Sequence, residues 1–411
     1  RSRGLGDVYK RQKKYCNIGK MNNMYDKIYN AIKKAVDSGV ASGVNFLALK
    51  NGREIISCQY GYRDIENQKP MTRNTILRMY STSKPVTAAA AMLLVSRGIV
   101  DIGEDISAYL PEFKNMHVNK NGRRVPVQRP ITVKNLLNMT SGLPYPDENT
   151  AGGRQCSTVF WNLDNRLYTD KPMTTKEFSE LIAENDLCFD PGERFMYGVS
   201  ADILGALIER TTDMKLGEFM QKELFEPLEM NDTGFYVPAE KADRTAKVYD
   251  FIDGHLSEVK TNHLGIKYTL DIPPAFESGG AGICSTLDDY SKFAEMLLGN
   301  GNFRGRQIIP EKAVKYMISG GLTDIQKADL QAGWGDLYGY TYGNMLRVCE
   351  DESKAVVLSA KGEYGWNGWL GTYFSNEPAY GITVLMGVQR IGGDTGVLVR
   401  KLKNIVMCEA T

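Results

Sequence analysis

The sequence predicts an α+β protein in which an antiparallel β-sheet, built from both ends of the chain, is flanked by helices and joined to an all-α domain. Near the start, Val44–Leu49 and Glu54–Tyr62 are strand-like and are connected by Asn51-Gly52, a strong hairpin signal. Helical patterns dominate from 85 to about 235. Strand patterns return at Tyr342–Val348, Thr372–Ser375 and Gly381–Val388.

Helical spacing of apolar residues predicts the helices in order. They are Tyr25–Val36, Val86–Val95, Thr132–Met139, Thr175–Glu184, Ala201–Thr211, Leu287–Leu298 and Thr395–Met407. We therefore expect residues 21–80 together with 265–411 to form a sheet domain, and residues 81–264 to form a mainly helical domain. The active site is expected between the two.

Composition sets limits on the function. The 411 residues are 42% hydrophobic and 24% charged, as in globular proteins. The apolar run Ala88–Val95 is too short to span a bilayer. Residues 1–20 carry seven basic groups and one acid, which leaves the remainder of the chain with a net charge of −5. This balance gives no electrostatic case for nucleic acid binding, and a small-molecule partner is expected.

The first residues look foreign. Asp7-Val8-Tyr9-Lys10-Arg11-Gln12 reads like a translated sequencing-library adapter, so residues 1–20 are interpreted as a reading-frame remnant and Met21 or Met24 as the native start. The alternative is a basic N-terminal arm. No apolar signal segment follows, which favours the cytoplasm; a lost signal peptide would instead place the protein in the periplasm or outside the cell.

Cysteine and histidine usage predicts neither a disulfide framework nor a metal site. The seven cysteines are scattered, without a C-x-x-C pair, as expected for reduced thiols in a cytosolic protein. The three histidines, His117, His255 and His263, lack ligand spacing with a cysteine or with one another. No cofactor is expected.

One short segment pairs a candidate nucleophile with a candidate base. In Ser81-Thr82-Ser83-Lys84 the lysine follows the serine by one helical turn, and Pro85 suits an early helical position. The quartet is expected to form the opening turn of a helix, tightened to 3₁₀, where free N–H groups suit an oxyanion. Alone the pattern is weak, because a helix cap followed by a solvated lysine has the same sequence.

The chain has only three histidines and no G-x-S-x-G motif, which disfavours a Ser-His-Asp triad. In a serine enzyme of this sequence, another residue must therefore serve as the base. Lys84 is the first candidate, because burial favours the neutral form of an amine. Tyr197 is the second. It lies between the turn Pro191-Gly192 and the helix from Ala201, where it can project into a cleft. A packed aromatic side chain is the alternative for Tyr197.

Six motifs in order resemble the penicillin-binding-protein-like serine hydrolases, a superfamily that includes class C β-lactamases, D-alanyl-D-alanine carboxypeptidases and family VIII carboxylesterases. The resemblance spans about 24–390. Its motifs are Thr75–Phe113 around the S-x-x-K quartet, Ile131–Leu137, Thr140-Ser141-Gly142-Leu143, Tyr197 with Leu204-Gly205, Ser278–Gly282 with Ser285-Thr286, and Gly371-Thr372-Tyr373-Phe374. It implies a β-lactamase-like fold.

The resemblance also implies the site. Ser81 would be the acylated nucleophile, Lys84 its proton partner and Tyr197 the general base. The family's K-T-G element falls at Trp366-Asn367-Gly368, which would contact the substrate, and the backbone N–H groups of Ser81 and Trp369 would form the oxyanion hole. Lys260-Thr261-Asn262 is interpreted as a decoy, because it lacks the glycine.

Two departures from the family pattern concern the substrate. Y-x-N is replaced by Tyr197-Gly198-Val199, which lacks an amide side chain, and K-T-G by Trp366-Asn367-Gly368, which lacks the cation that pairs with a carboxylate. An indole in that place suits a neutral, partly apolar acyl group and resembles the W-x-G of the esterase branch. The expected function is therefore a carboxylesterase on small esters. The alternatives are a β-lactamase or D-alanyl-D-alanine peptidase acting on an amide, an acyltransferase, and a silent binding module.

Two further features have open interpretations. Gly279–Gly282 is interpreted as a tight structural turn rather than a phosphate cradle, because no strand–loop–helix with a lysine surrounds it. Trp334 and the tyrosines 338, 340 and 342 could equally line the cleft or pack in the core. The oligomeric state stays open.

Overall fold

The computed structural model describes residues 19–120, 122–393 and 395–411. Its α-helices are α1 Gly19–Asp37, α2 Ser83–Ser96, α3 Val133–Leu137, α4 Ala151–Arg166, α5 Thr175–Ala183, α6 Ser200–Thr212, α7 Leu216–Met220, α8 Leu287–Leu298, α9 Glu311–Met317, α10 Asp324–Gly333 and α11 Thr395–Ala410. Its strands are β1 Gly43–Lys50, β2 Arg53–Asp64, β3 Lys69–Pro70, β4 Leu77–Arg78, β5 His117–Lys120, β6 Arg123–Pro126, β7 Asp186–Leu187, β8 Tyr249–Ile252, β9 His255–Glu258, β10 Cys284–Ser285, β11 Asn302–Phe303, β12 Arg306–Gln307, β13 Tyr340–Gly343, β14 Leu346–Cys349, β15 Tyr364–Asn367, β16 Tyr373–Glu377 and β17 Ile382–Gly387.

The main sheet joins the two ends of the chain. Its eight strands run in the order β13-β14-β15-β16-β17-β1-β2-β3, and every neighbouring pair is antiparallel. β1 pairs with β17, which places Phe46 opposite Met386. The turn between β1 and β2 is Asn51-Gly52, whose φ angles of 52° and 71° are those of a hairpin turn. The predicted hairpin and its turn are confirmed.

The two faces of this sheet are covered differently, because side chains alternate along each strand. Phe46 and Val384 face helices α1 and α11 and share a core cluster with them. Leu47 and Leu385 face the other way, into the larger core that contains α8 and the helices of the middle segment. The sheet is therefore a layer between two sets of helices, as the α+β fold class predicts.

Helix α2 is buried along most of its length. Its alanines 88–91 and its first residues, Ser83 and Lys84, are all inaccessible to solvent. Small side chains allow close approach of the neighbouring helices α6 and α9, which both contact α2. Because this helix is enclosed, the segment that leads into it, including Ser81, is held at a fixed place beside the sheet.

Two features differ from the sequence-based picture. The single strand predicted at Tyr342–Val348 is a hairpin, β13–β14, because Asn344 and Met345 both have left-handed φ angles of 46° and 69°. The middle segment also contains a small sheet of β5, β6 and β7. The predicted remnant at 1–20 lies outside the described residues except for its last two positions. Among the described helices, none is long and apolar enough to cross a membrane.

Candidate active site

The nucleophile segment runs from strand β4 into helix α2. Tyr80 has a left-handed φ of 46°, a strained conformation for a residue with a bulky side chain. Tyr80–Thr82 then form one turn of 3₁₀ helix, and α2 begins at Ser83. The predicted tightened opening turn is confirmed. The N–H of Ser81 lies in this first turn, where the helical pattern provides no acceptor for it.

The amine of Lys84 is buried and has three hydrogen-bond partners. Nζ lies 3.3 Å from Ser81 Oγ, 3.0 Å from the hydroxyl of Tyr145 and 2.9 Å from the carbonyl oxygen of Gly280. An ammonium group has three N–H donors, whereas a neutral amine has two donors and one lone pair. The Gly280 carbonyl and both hydroxyls can accept, so an ammonium would donate to all three partners. A neutral amine would donate to Gly280 and Tyr145 and would keep its lone pair for the Ser81 O–H.

The carbonyl that holds Lys84 is fixed by a buried carboxylate. Asp202 on α6 accepts hydrogen bonds from Ser278 Oγ at 2.5 Å and from the N–H of Gly280 at 3.0 Å. Burial raises the pKa of Asp202, while the charge of Lys84 and these two hydrogen bonds oppose the rise. A side chain at Gly280 would come within 3.0 Å of both Asp202 and Tyr145. The glycine run at 279–282 is thus a turn, as interpreted from the sequence, and it also orients Lys84.

Two tyrosines lie beside Lys84 and are held in different ways. Tyr197 accepts a hydrogen bond of 2.9 Å from Trp366 Nε1, and Lys84 Nζ lies 4.5 Å from the centre of its ring. Tyr145 is bonded to Lys84 directly, and burial together with the Asp202 carboxylate raises the pKa of its hydroxyl well above the ordinary value. Tyr145 is therefore a neutral phenol that positions the amine.

An aromatic cluster encloses this side of the site. The ring of Tyr197 contacts those of Trp334 and Trp366 at 5.0 and 5.5 Å, and Trp366 contacts the ring of Tyr342 at 4.9 Å. Of the four aromatic residues left open in the sequence, Trp334 borders the site, Tyr340 and Tyr342 are buried in the core, and Tyr338 is exposed.

The end of strand β15 is fastened to the nucleophile segment. The hydroxyl of Thr372 donates a 2.8 Å hydrogen bond to the carbonyl of Met79, and the hydroxyl of Thr82 donates to the same oxygen at 2.7 Å. A side chain at Gly368 would come within 2.3 Å of that oxygen. Within the described residues, the N–H of Trp369 has no hydrogen-bond acceptor. The Met79 carbonyl thus connects the segment of Ser81 with the segment of Trp369, and these two segments carry the predicted oxyanion donors.

The side chains of Trp366 and Asn367 lie on opposite faces of the sheet. Trp366 is buried towards Tyr197, whereas Asn367 is exposed and accepts a 2.9 Å hydrogen bond from Arg347. Arg347 is paired with Glu363, which Lys403 also contacts at 3.2 Å. Burial opposes the ionisation of Glu363, but these two cations hold its pKa at about 2. The arginine nearest to this segment is therefore neutralised within the fold.

The structure brings together most of the residues predicted from the sequence. Ser81, Lys84, Tyr197 and Trp366 form one connected set, and Gly368 packs on the backbone just before the nucleophile. The side chain of Asn367 is on the other face of the sheet, so a contact between it and the substrate stays a prediction.

Sequence reasoning missed four residues of this site: Tyr145, Asp202, Gly280, whose carbonyl accepts a hydrogen bond from Lys84, and Thr372, whose hydroxyl donates to the carbonyl of Met79. Thr372 lies within one of the motifs that resemble the family, and Tyr145 lies just after another. No spacing rule assigns either residue a hydrogen-bond partner. Their contacts join positions between 61 and 293 residues apart. Among the described residues, no group of three metal-ligating side chains is found.

Comparison with known proteins shows which family the chain belongs to. The family model described as Beta-lactamase matches residues 28–401. Protein Rv1367c of Mycobacterium tuberculosis is 31% identical over 369 residues, which cover 87% of this chain and 88% of that protein. Esterase EstB of Burkholderia gladioli is 28% identical over 367 residues, covering 84% and 85%.

A solved structure confirms the fold. EstCE1, described as a hydrolase with promiscuous acyltransferase activity, superposes with a TM-score of 0.76 at 23% identity and covers 93% of this chain and 99% of that one. The resemblance read from the sequence and the predicted fold class are both confirmed. The chain belongs to the Beta-lactamase family of serine hydrolases.

Proposed function

We propose that this protein is a carboxylesterase that cleaves small uncharged esters through an acyl-enzyme on Ser81. The observation that carries the proposal is the contact of the buried Lys84 amine with Ser81 Oγ, made while Tyr145 and Gly280 hold the amine in place. A serine hydroxyl needs such a partner to become a nucleophile. The similarity to Esterase EstB supports ester cleavage.

The reaction follows from the positions of these groups. Ser81 Oγ attacks the ester carbonyl carbon, and its proton passes to the pair Lys84 and Tyr197. The negative charge on the carbonyl oxygen is stabilised by the N–H groups of Ser81 and Trp369. The departing alkoxide recovers the proton and leaves as an alcohol. Water then attacks the acyl group and gives its proton to the same pair, which releases the acid and restores Ser81.

Tyr197 and Tyr145 have separate roles in this proposal. Tyr145 keeps its proton and fixes the amine. Tyr197 exchanges the proton as general base. The indole N–H of Trp366 is bonded to the Tyr197 oxygen and would hold that oxygen in place while it takes up and releases the proton. Lys84 Nζ lies 4.5 Å from the centre of the Tyr197 ring, which places the two members of the pair side by side.

The preference for a neutral substrate rests on the segment Trp366-Asn367-Gly368. Trp366 stands where the family has a lysine, and its indole is bonded to Tyr197. Arg347, which contacts Asn367, is paired with Glu363 and lies among buried side chains on the other face of the sheet. A carboxylate on the substrate would therefore meet no free cation from this segment, whereas an uncharged ester does not require a cation there.

The decisive assay compares two chromogenic substrates. Purified protein is given p-nitrophenyl butyrate and a chromogenic cephalosporin, with Ser81→Ala as the control for turnover at any other site. We expect ester hydrolysis well above cephalosporin hydrolysis, and loss of both in the variant. Equal turnover of the two would contradict the esterase preference, and no turnover of either would contradict the enzyme function. An added alcohol that is acylated in place of water would identify the acyltransferase alternative, in line with the description of EstCE1.

We also propose that the sheet unit, residues 21–80 with 265–411, and the helical unit, residues 81–264, enclose the site between them, and that the protein works in a reducing compartment, the cytoplasm. Among the described residues, five cysteines are free thiols: Cys156, Cys188, Cys284, Cys349 and Cys408. Thiols persist in this form in the cytosol. Fractionation of the native host with an antibody to the chain would test the location.

A further inference from the structure

Three aromatic rings form a second cluster beside the nucleophile. The rings of His263 and Trp369 are stacked, with centroids 3.9 Å apart and planes 17° apart. Tyr80, directly before Ser81, meets Trp369 edge-on at 5.1 Å and His263 at 5.7 Å. Within the part of the chain that the structure describes, no ring of this cluster contacts the cluster of Tyr197, Trp334 and Trp366. The two aromatic clusters are therefore separate from each other.

One ring of this second cluster is partly open to solvent, and none of the three rings carries a charge at pH 7. Trp369 exposes 40% of its surface even though His263 covers one side of its indole. Burial lowers the pKa of His263 to about 4, so the imidazole is neutral at pH 7. The side chains packed with Tyr80 are apolar, among them Val248 and Leu370. A planar, apolar group would gain contact here without leaving a charge unpaired.

The supporting loop is held rigidly in place. Leu264 and Gly265, directly after His263, have left-handed φ angles of 55° and 74°, and the backbones of His263 and Ile266 are bonded across the turn. The N–H of Gly265 donates to Asp164 on α4 at 3.0 Å, and a side chain at Gly265 would come within 2.4 Å of Leu163. The stacked rings are thus preorganised, which reduces the entropy cost of binding a ligand against them.

The positions of the proton donors and of the oxyanion donors determine which part of an ester faces the second aromatic cluster. The leaving oxygen must lie next to the proton donors, Lys84 and Tyr197, which belong to the other aromatic cluster. The carbonyl oxygen must point at the N–H groups of Ser81 and Trp369. In this orientation the acyl substituent would extend away from Tyr197, towards the rings of Trp369 and of Tyr80, the residue directly before Ser81.

We propose that the exposed indole of Trp369, backed by His263 and Tyr80, is an acyl subsite that binds a planar aromatic acyl group such as phenylacetyl or benzoyl. This subsite rests on the proposed esterase function. It makes esters of aromatic acids better substrates than acetyl esters with the same leaving group.

The test compares p-nitrophenyl phenylacetate with p-nitrophenyl acetate, so that only the acyl group differs. Trp369→Leu removes the indole but keeps the backbone N–H, and Trp369→Phe keeps a ring. The matched control is Trp161→Leu, which removes an indole that is 67% exposed on α4. We expect the ratio of kcat/KM for phenylacetate over acetate to fall about three- to tenfold in Trp369→Leu, to fall less in Trp369→Phe and to stay constant in Trp161→Leu.

A second substrate pair checks whether the acyl group or the leaving group of the ester contacts Trp369. Phenyl acetate and ethyl acetate differ only in the leaving group, so their ratio should be the same in Trp369→Leu and the native protein. A change confined to this second pair would overturn the acyl assignment, and an equal loss for phenylacetate and acetate would overturn the subsite. In either case the native protein still turns over esters. Failure of the native protein with every ester would instead refute the proposed function, and the subsite with it.

Discussion

The two sides of the candidate site, one around Ser81 and Lys84 and the other around Trp369, differ in the kind of contact that holds their side chains. On the side of Ser81 and Lys84, each polar group has a defined hydrogen-bond partner, and the amine is inaccessible to solvent. On the side of Trp369, the contacts are those of stacked rings, and the indole is partly open. Proton transfer requires fixed distances, whereas recognition of an apolar group requires surface. We therefore propose that the first side carries out the reaction and that the second side contributes to the choice of substrate.

The largest expected effects are on the first side. Ser81→Ala and Lys84→Ala should each reduce kcat by about a thousandfold or more, because one removes the nucleophile and the other removes its proton partner. Ester hydrolysis followed at saturating substrate measures this loss. The thermal unfolding midpoint of Ser81→Ala should stay close to that of the native protein, and an active Ser81→Ala variant would disprove the assignment.

The two tyrosines provide a finer test of the same side. Tyr197→Phe should lower kcat by roughly 10²- to 10⁴-fold, because it removes a general base. Tyr145→Phe removes a hydrogen bond that only positions Lys84 and should cost about tenfold or less. Parallel measurements of kcat in the two variants check the order. The reverse order would assign the base to Tyr145.

The first side can also be altered to accept an anion, at Trp366 beside Tyr197. Trp366→Lys restores the cation of the family pattern, and the affinity for a penicillin should rise about ten- to a hundredfold, since a charge-assisted hydrogen bond contributes about 1.5–3 kcal/mol. Competition of the penicillin with ester hydrolysis measures the inhibition constant. Trp366→Gln, a neutral replacement, separates the gain of charge from the loss of the bond to Tyr197. Equal affinities in the two variants would show that charge at this position does not set the preference.

The tie between the two sides is the bond from Thr372 to the carbonyl of Met79. Thr372→Val keeps the shape of the side chain and removes this bond, so kcat should fall about two- to tenfold with little change in KM, and Thr372→Ser should restore it. Thr383→Val is the control, since Thr383 is equally buried and donates a 2.7 Å hydrogen bond to Asn376 in the same sheet. Similar kinetics in both valine variants would reduce Thr372 to a structural role.

The last test concerns the stability of the protein at different pH values and not its activity. The pKa of His263 is lowered by burial to about 4 in the folded protein, below the ordinary value of about 6.5. Between these two values the unfolded chain binds more protons, so the free energy of unfolding should fall as the pH drops from about 6.5 to 4, by about 2–3 kcal/mol from this group. Urea unfolding of the native protein and of His263→Phe measures the contribution. The same slope in both would show that His263 does not cause it.

Local patterns predicted the fold better than the site. The Asn51-Gly52 turn and helix α8 were located correctly, because each is encoded by neighbouring residues. The hairpin at Asn344 was missed, because neither Asn344 nor Met345 is a glycine and yet both adopt left-handed φ angles. The sequence also predicted the S-x-x-K quartet, Tyr197 and the segment Trp366-Asn367-Gly368 with Trp369, of which Trp366 and Gly368 lie beside the quartet and Tyr197. The contacts of Tyr145 and Thr372 join distant segments and are visible only once the chain is folded.

The central claim is that Ser81 is acylated, and the mass of the protein tests it most directly. The native chain and Ser81→Ala are treated with a fluorophosphonate, and the intact mass and the peptide that contains residues 79–97 are measured. We predict one adduct in the native chain, located on Ser81, and none in the variant. An adduct on another residue, or no adduct in the native chain while the protein is folded, would contradict the account.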